Sequence, residues 1–243
     1  MLTSPLSWRI ERYEALASTS DLCVDRALAG EPDRLMVIAA RQNAGRGRAG
    51  RAWSSPEGNF YGSVLLRPGA PANSGGSFAL LAGLSLLEAF AGFLPDASRL
   101  VLKWPNDIMA GQAKLAGVLL DAAIEADRIT WLVIGFGVNL VAAPAVPGRL
   151  TTNLAALGCI TSPDRLAEKL CSRIDHWQAS LAADGGAALR LAWTAWAHPP
   201  GTAITVDGGR ICGIYEGIDA EGSLLLRNGG TVTAIRSGDV ALL

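Results

Sequence analysis

The sequence predicts an α+β protein with a small all-β module at its C-terminal end. Three observations carry that reading. Half of the 243 residues are hydrophobic and 18% are charged, so the chain has a core to bury and is not a disordered polymer. Strand and helix patterns are interspersed up to about residue 197, after which His198-Pro199-Pro200-Gly201 reads as a linker. Beyond it, Ile204, Val206, Ile211, Ile214, Leu224, Leu226, Val232 and Ile235 fall in short segments separated by the glycine-rich turns Asp207-Gly208-Gly209 and Asn228-Gly229-Gly230. The expected division is therefore residues 1–198 and 199–243. A chain of this length buries roughly 70–75% of its unfolded surface without disulfides or metals.

The elements follow in order. Ser18-Thr19-Ser20-Asp21 precedes a helical pattern over residues 22–29 that stops at Gly30, with hydroxyls at the start and glycine at the end. Residues 35–40 form an apolar run of strand length. A Gly/Arg loop spans residues 42–56, and residues 59–66 give a second strand. The apolar stretch 77–94 sits at the short limit for crossing a bilayer, carries Glu88 and has no flanking Lys/Arg cluster, so it reads as a buried core helix starting near Ser74 or Ser77. Residues 100–104 form a strand ending in the turn Pro105-Asn106-Asp107. Residues 114–121 and 129–137 pair around a turn at Asp127, and helical patterns follow at 154–157, 163–183 and 187–197.

Several function classes are disfavoured. With 21 basic and 22 acidic residues and a net charge of −1, the surface as a whole is not a nucleic-acid or membrane footprint. Cys23, Cys159, Cys171 and Cys212 form no C-x-x-C pair and there are only two histidines, so no metal centre is expected. The first eight residues lack a basic stretch followed by an apolar core, which points away from a secretion signal and towards a cytoplasmic protein.

Chemistry concentrates in four places. Gly45, Gly47 and Gly50 satisfy G-x-G-x-x-G in letter, but Trp53-Ser54-Ser55-Pro56 leads into a strand rather than a helix, so the dinucleotide reading fails. What remains is a flexible loop with Arg41, Arg46, Arg48 and Arg51, whose guanidinium forks suit phosphate oxygens, closed by Trp53 as a stacking surface. Lysine is scarce, three against eighteen arginines, and two of the three stand in strand-end motifs, Lys103-Trp-Pro-Asn106-Asp107 and Lys114-Leu-Ala-Gly117. A compact ammonium there suits charge on a phosphate or carboxylate oxygen, or serves merely as a strand-end cation. Asp107 reads as a cation ligand, a proton acceptor or a turn residue. Asn139 follows Gly135 and Gly137 in an apolar run and needs a partner, from backbone or from a ligand edge. His176 and His198 are read as structural.

Gly45-Arg-Gly-Arg-Ala-Gly-Arg-Ala-Trp53, Lys103-Trp-Pro-Asn-Asp-Ile108, Lys114-Leu-Ala-Gly117 and Gly135-Phe-Gly-Val-Asn-Leu140 resemble, in order and spacing, the signature blocks of biotin protein ligases. The resemblance runs from about Ser18 to the C-terminus. It implies a mixed-sheet catalytic domain of the biotin/lipoate ligase type with an SH3-like β-barrel after it. It also implies ATP, Mg²⁺ and biotin as reactants, biotinyl-5′-AMP as intermediate, and transfer to a lysine of the biotin carboxyl carrier protein of acetyl-CoA carboxylase or a related carboxylase. On this resemblance Ser18, Thr19 and Gln42 hold the ureido ring, with Gly45 against it. Arg46 and Arg48 meet the phosphate and carboxylate region, Arg48 helping to retain the adenylate. Arg51 reaches the triphosphate, Trp53 packs on adenine and Asn139 reads its edge. Lys114 bridges the carboxylate and the α-phosphate, Asp107 orients or deprotonates the incoming lysine, and Lys103, Asn106, Gly117 and Gly137 complete the nucleotide site. No metal ligand set is implied. Two departures stand out: Ser20 replaces the family's usual Asn, and Ala49 replaces an arginine of some members. The first motif begins at Ser18, so no operator binding is expected, and the protein is expected to be a monomer or homodimer. The competing readings are a lipoate ligase or octanoyltransferase, separable by which acid promotes ATP–pyrophosphate exchange, and a nucleic-acid-binding module using the arginine loop.

Overall fold

The computed structural model describes residues 7–243; most of the N-terminal stretch read as lacking a secretion signal lies outside the described residues. A seven-stranded mixed sheet is built from β1 (Arg9–Leu16), β2 (Leu35–Gln42), β3 (Phe60–Leu66), β4 (Leu100–Lys103), β5 (Asp107–Ala110), β6 (Ala113–Glu125) and β7 (Arg128–Val138) in the spatial order β1-β2-β3-β7-β6-β5-β4. Only β1 and β2 run parallel; the other neighbours are antiparallel.

β2 shows why the sheet sits where it does. Its run Leu35-Met36-Val37-Ile38 is buried on both faces. Leu35 and Val37 pack with Cys23, Ala27, Leu65 and Val133 under α1 (Thr19–Leu28). Met36 and Ile38 join the main core beneath α2 (Gly75–Ala91), α3 (Pro163–Asp184) and α4 (Ala187–Trp196). Truncating a leucine in such a core costs about 2–5 kcal/mol. The helical segment Ala72–Ala91, most of it α2, is long and apolar enough by composition to cross a membrane, but here it is the mostly buried helix that the sequence suggested. Ser18 caps α1, its Oγ accepting from Asp21 N at 3.3 Å. Ser162 and Pro163 open α3, and Gly185 in a left-handed conformation closes it.

Two strands escape the sequence reading. β1, Arg-Ile-Glu-Arg-Tyr-Glu-Ala-Leu, is an edge strand with charged residues on its exposed positions, so it has no continuous apolar run. Asp107 is not a turn residue. It begins β5 and pairs with Lys103 on β4 and with Gly117 on β6. The pattern at 154–157 is one turn of 3-10 helix rather than a full helix. The β6–β7 turn at Ala126 and Asp127 takes positive φ at both residues, as a tight hairpin requires.

The C-terminal module is a five-stranded antiparallel sheet of β8 (Ala203–Val206), β9 (Ile211–Ile218), β10 (Leu224–Asn228), β11 (Thr231–Ile235) and β12 (Val240–Leu242), ordered β11-β10-β9-β8-β12. Ile204, Val206, Leu224, Leu226 and Ile235 are buried in the main core, whereas Ile211 and Val232 are exposed. The module docks on the larger sheet: Trp104 Nε1 donates to the Gly222 carbonyl at 3.0 Å.

Candidate active site

A cavity of about 270 Å³ opens where the arginine loop, the start of α1, β6, β7 and the last turn of the C-terminal module meet.

The loop folds as a tight hairpin. Trp53 N donates to the Gly45 carbonyl, Gly47 N to Arg51 O and Arg51 N to Arg48 O. This aims Arg46, Arg48 and Arg51 at the cavity. Each guanidinium already has partners. Arg46 Nη2 lies 2.7 Å from Asp21 and 2.9 Å from Asp121. Arg48 Nη1 donates to Asn106 Oδ1 and to the Gly238 carbonyl, both at 3.1 Å. Arg51 meets Asp239 at 3.1 Å, and Arg149 shares that carboxylate at 2.8 Å. Burial alone would raise the Asp239 pKa; the hydrogen bond from Arg51, with the charges of Arg149 and Lys103, outweighs that and holds it below the usual carboxylate value.

Trp53 rests against a bed made by Gly117 and Gly137, which are direct partners across β6 and β7. A Cβ at Gly137 would sit 2.5 Å from the indole ring, so that position has room only for glycine while the ring is there. The indole N–H is buried without a hydrogen-bond partner. Such an orphan costs about 1–3 kcal/mol, which makes this contact exchangeable. Beside the ring, Lys114 Nζ is 5.4 Å from its centroid and 2.5 Å from Asp107 Oδ1, in a pair that is mostly buried. Asn106 Nδ2 donates to Val118 O, tying the Lys103–Asp107 segment to β6.

The opposite end of the cavity is hydroxyl and amide. Ser18, Thr19, Ser20 and Gln42 line it. Gln42 Oε1 accepts from Thr19 N at 2.8 Å and from Thr19 Oγ1 at 3.1 Å. Asn139 is buried, its Nδ2 donating to Thr152 O at 3.0 Å, so backbone satisfies one edge of it while the residue still lines the cavity. Tyr61 anchors the loop's far end: burial pushes its hydroxyl up to about 12, and that neutral hydroxyl donates to Pro56 O at 2.7 Å. Cys23 and Cys171 are buried with thiols pushed up to about 12, so neither is a nucleophile.

Nearly all residues that the sequence singles out converge on this one cavity. Two do not line it. Gly45 lies behind the wall, packed against Trp53 O, Ser55 and Gln42. Lys103 stands outside it, close enough to lower the pKa values of both Asp239 and His198. Sequence reasoning missed Gly135, Arg149 and Asp239 as wall residues. Arg149 and Asp239 lie far along the chain in segments without a motif. Gly135 had a signal, since it shares the alternate spacing of Gly137 on β7.

An arrangement of one ammonium, several guanidiniums and a glycine bed for a flat ring suits a nucleotide beside a carboxylic acid. Residues 14–139 match the Biotin/lipoate A/B protein ligase family. The chain is 37% identical over 199 residues to the biotin--[acetyl-CoA-carboxylase] ligase of Paracoccus denitrificans, covering 79% of this chain and 83% of that protein. It is 32% identical over 246 residues to the ligase of the same name from Mycobacterium tuberculosis, covering 93% and 86%. Among solved structures, biotin protein ligase from Aquifex aeolicus in complex with biotin and ATP has the same fold, with TM-score 0.78 at 24% identity over 96% of this chain and 98% of that one. The Leishmania major enzyme in complex with biotinyl-5-AMP gives TM-score 0.65 at 25% identity over 94% and 98%. Fold, motif order and relatives agree: the chain belongs to the biotin/lipoate A/B protein ligase family.

Proposed function

We propose that this protein is a biotin–protein ligase. The observation that carries the reading is the convergence in one cavity of three differently built ends: the hydroxyl–amide end at Ser18, Thr19 and Gln42, the glycine bed with Trp53, and Lys114 with the arginines between and around them. The ureido ring takes the first, adenine the second, and the reacting carboxylate and α-phosphate meet at Lys114. In the first step a biotin carboxylate oxygen attacks the α-phosphorus of ATP, pyrophosphate leaves, and biotinyl-5′-AMP remains. In the second a carrier lysine attacks the acyl carbon and AMP leaves.

Lys114 begins paired with Asp107. Its ammonium turns to the developing charge on the carboxylate and phosphate, which frees Asp107 to accept a proton from the incoming amine. Arg46, Arg48 and Arg51 exchange their present partners for phosphate oxygens, with Asn106 and Asn139 holding the nucleotide end. Mg²⁺ enters with ATP as part of the substrate. Among the described residues no three acidic, His or Cys side chains are grouped so as to hold a metal ion, and the cavity carboxylates Asp107 and Asp239 are held by cations. The names of the Paracoccus and Mycobacterium relatives support a carrier domain of acetyl-CoA carboxylase as the acceptor.

The test is direct. Purified protein with biotin, ATP and Mg²⁺ forms biotinyl-5′-AMP, detected by mass spectrometry and by biotin-dependent ATP–pyrophosphate exchange. Exchange driven by lipoate and not by biotin overturns the reading in favour of the lipoate branch of the family.

A further inference from the structure

Behind the hydroxyl–amide end of the cavity lies Ser63 on β3, wholly buried and outside all the motif blocks. Its Oγ is 2.8 Å from Thr19 Oγ1 and 3.0 Å from Ser20 Oγ. Thr19 Oγ1 is in turn 3.1 Å from Gln42 Oε1. The orientation of the Gln42 amide is fixed from both sides: Oε1 accepts from the Thr19 backbone N–H, and Nε2 donates to Ser55 Oγ, which donates to Trp53 O.

Three hydroxyls, each with one proton, thus form three contacts that end on a carbonyl oxygen with no proton to give. Two oxygens near 3 Å attract only with a proton between them. One arrangement satisfies every contact: Ser20 donates to Ser63, Ser63 to Thr19, and Thr19 to Gln42. Ser20 and Thr19, the members at the cavity surface, then present lone pairs only. Ser18 has the opposite polarity. Its Oγ accepts from Asp21 N at 3.3 Å, leaving its proton free for a ligand. The surface therefore offers a donor beside acceptors, the complement of a ring carrying both C=O and N–H. Gly135 keeps this face open, since a Cβ there would meet Ser20 Oγ at 2.4 Å.

We infer that Ser63 is a positioning residue that sets the proton order of this chain, and that Ser20, through it, accepts directly from a ring N–H of the acid substrate. The inference rests on the biotin-ligase reading. It extends that reading to two residues outside the ring-binding set of Ser18, Thr19 and Gln42, and it explains how a serine serves where an asparagine is usual: Ser63 fixes the direction of a hydroxyl proton that would otherwise rotate freely. It also gives a reason for rejecting a dithiolane ring, which has no N–H and leaves the acceptors unmatched.

The experiment compares wild type, Ser63→Ala and Ser20→Ala in acid-dependent ATP–pyrophosphate exchange. The probes are biotin and the two analogues in which one or the other ring N–H is replaced by oxygen. In wild type, at least one analogue raises KM roughly 10- to 100-fold, the cost of acceptors left facing a lone pair. In Ser63→Ala the hydroxyls of Thr19 and Ser20 are free to turn. KM for biotin rises on the order of tenfold with kcat within about twofold, and the analogue penalty falls at least threefold, on the scale of one lost neutral hydrogen bond. A purely structural role for Ser63 would lower stability without changing that ratio. Ser20→Ala, at the cavity surface, lowers the same penalty and carries the test if Ser63→Ala does not fold. A wild-type analogue penalty retained in full by either folded variant overturns the proton-order proposal and leaves the ligase reading standing. Wild-type protein indifferent to biotin overturns both.

Discussion

Gly137→Ala puts the geometry of the glycine bed to a quantitative test. The added methyl would lie 2.5, 2.6 and 2.8 Å from Cε2, Cζ2 and Nε1 of Trp53, all ring atoms. A ring cannot yield by turning one terminal atom, so the whole indole must leave the bed. The neighbouring Gly117→Ala is a built-in control: its methyl would meet Lys114 Nζ and Trp53 Cζ3 at 3.2 Å, distances that shifts of a few tenths of an ångström relieve. Forcing a methyl into a packed contact costs about 1–3 kcal/mol. If that cost falls on whichever flat ring occupies the bed, KM for ATP rises roughly 5- to 150-fold in Gly137→Ala. In Gly117→Ala the rise stays below about fivefold. KM for biotin changes little in both, because Ser18, Thr19 and Gln42 lie at the other end. The assay is pyrophosphate exchange with each substrate varied in turn, with a thermal melt to confirm folding. Equal ATP KM values in Gly137→Ala and wild type, or a larger effect from Gly117→Ala, would refute the bed as the place of the base.

Three further predictions concern the charges. Lys114→Ala abolishes adenylate formation and, because Asp107 is left without its counter-ion in a mostly buried place, also lowers stability by about 1–3 kcal/mol; adding Asp107→Asn restores the melting temperature but not the adenylate. Asp239→Asn releases Arg51 and Arg149, both at least a third exposed, so stability changes by less than about 1 kcal/mol while KM for ATP falls up to about fivefold in low salt; a rise in KM would show that the carboxylate orders the arginines rather than competing for them. Burial, with the nearby charge of Lys103, lowers the His198 pKa below its ordinary 6.5. The unfolded chain therefore binds this proton more readily, and stability is lost as pH falls from about 7 through 6.5 towards the lower folded value. His198→Gln flattens that part of the stability–pH curve, as denaturant melts at pH 7.5 and 5.5 will show.

The motif blocks made most of the site legible, because adenylation chemistry demands particular residue types close together: Gly45 to Trp53, Lys103 to Asp107, Lys114 to Gly117 and Gly135 to Asn139 are each local. What escaped was set by long-range pairing. Ser63 looks like any strand residue until β3 is placed against β7 and α1, and Asp239 meets Arg51 across 188 positions and Arg149 across 90. β1 hid behind its charges, and Asp107 read as a turn residue because Pro105-Asn106 precedes it. Trp53 was legible as an aromatic with a role, but its resting place on Gly117 and Gly137 was not, since cross-strand register is absent from a one-dimensional pattern.

The pairing of every cavity cation with a tethered carboxylate or carbonyl has an effect on turnover. On the proposed reading, an entering triphosphate does not add negative charge to a bare positive hole; it swaps places with anions the polypeptide carries, and those anions stay within a side chain's reach. On that reading, when pyrophosphate and later AMP depart, Asp239, Asp121 and Asp21 are at hand to take the guanidiniums back, so the attraction that captures the nucleotide need not hold its fragments.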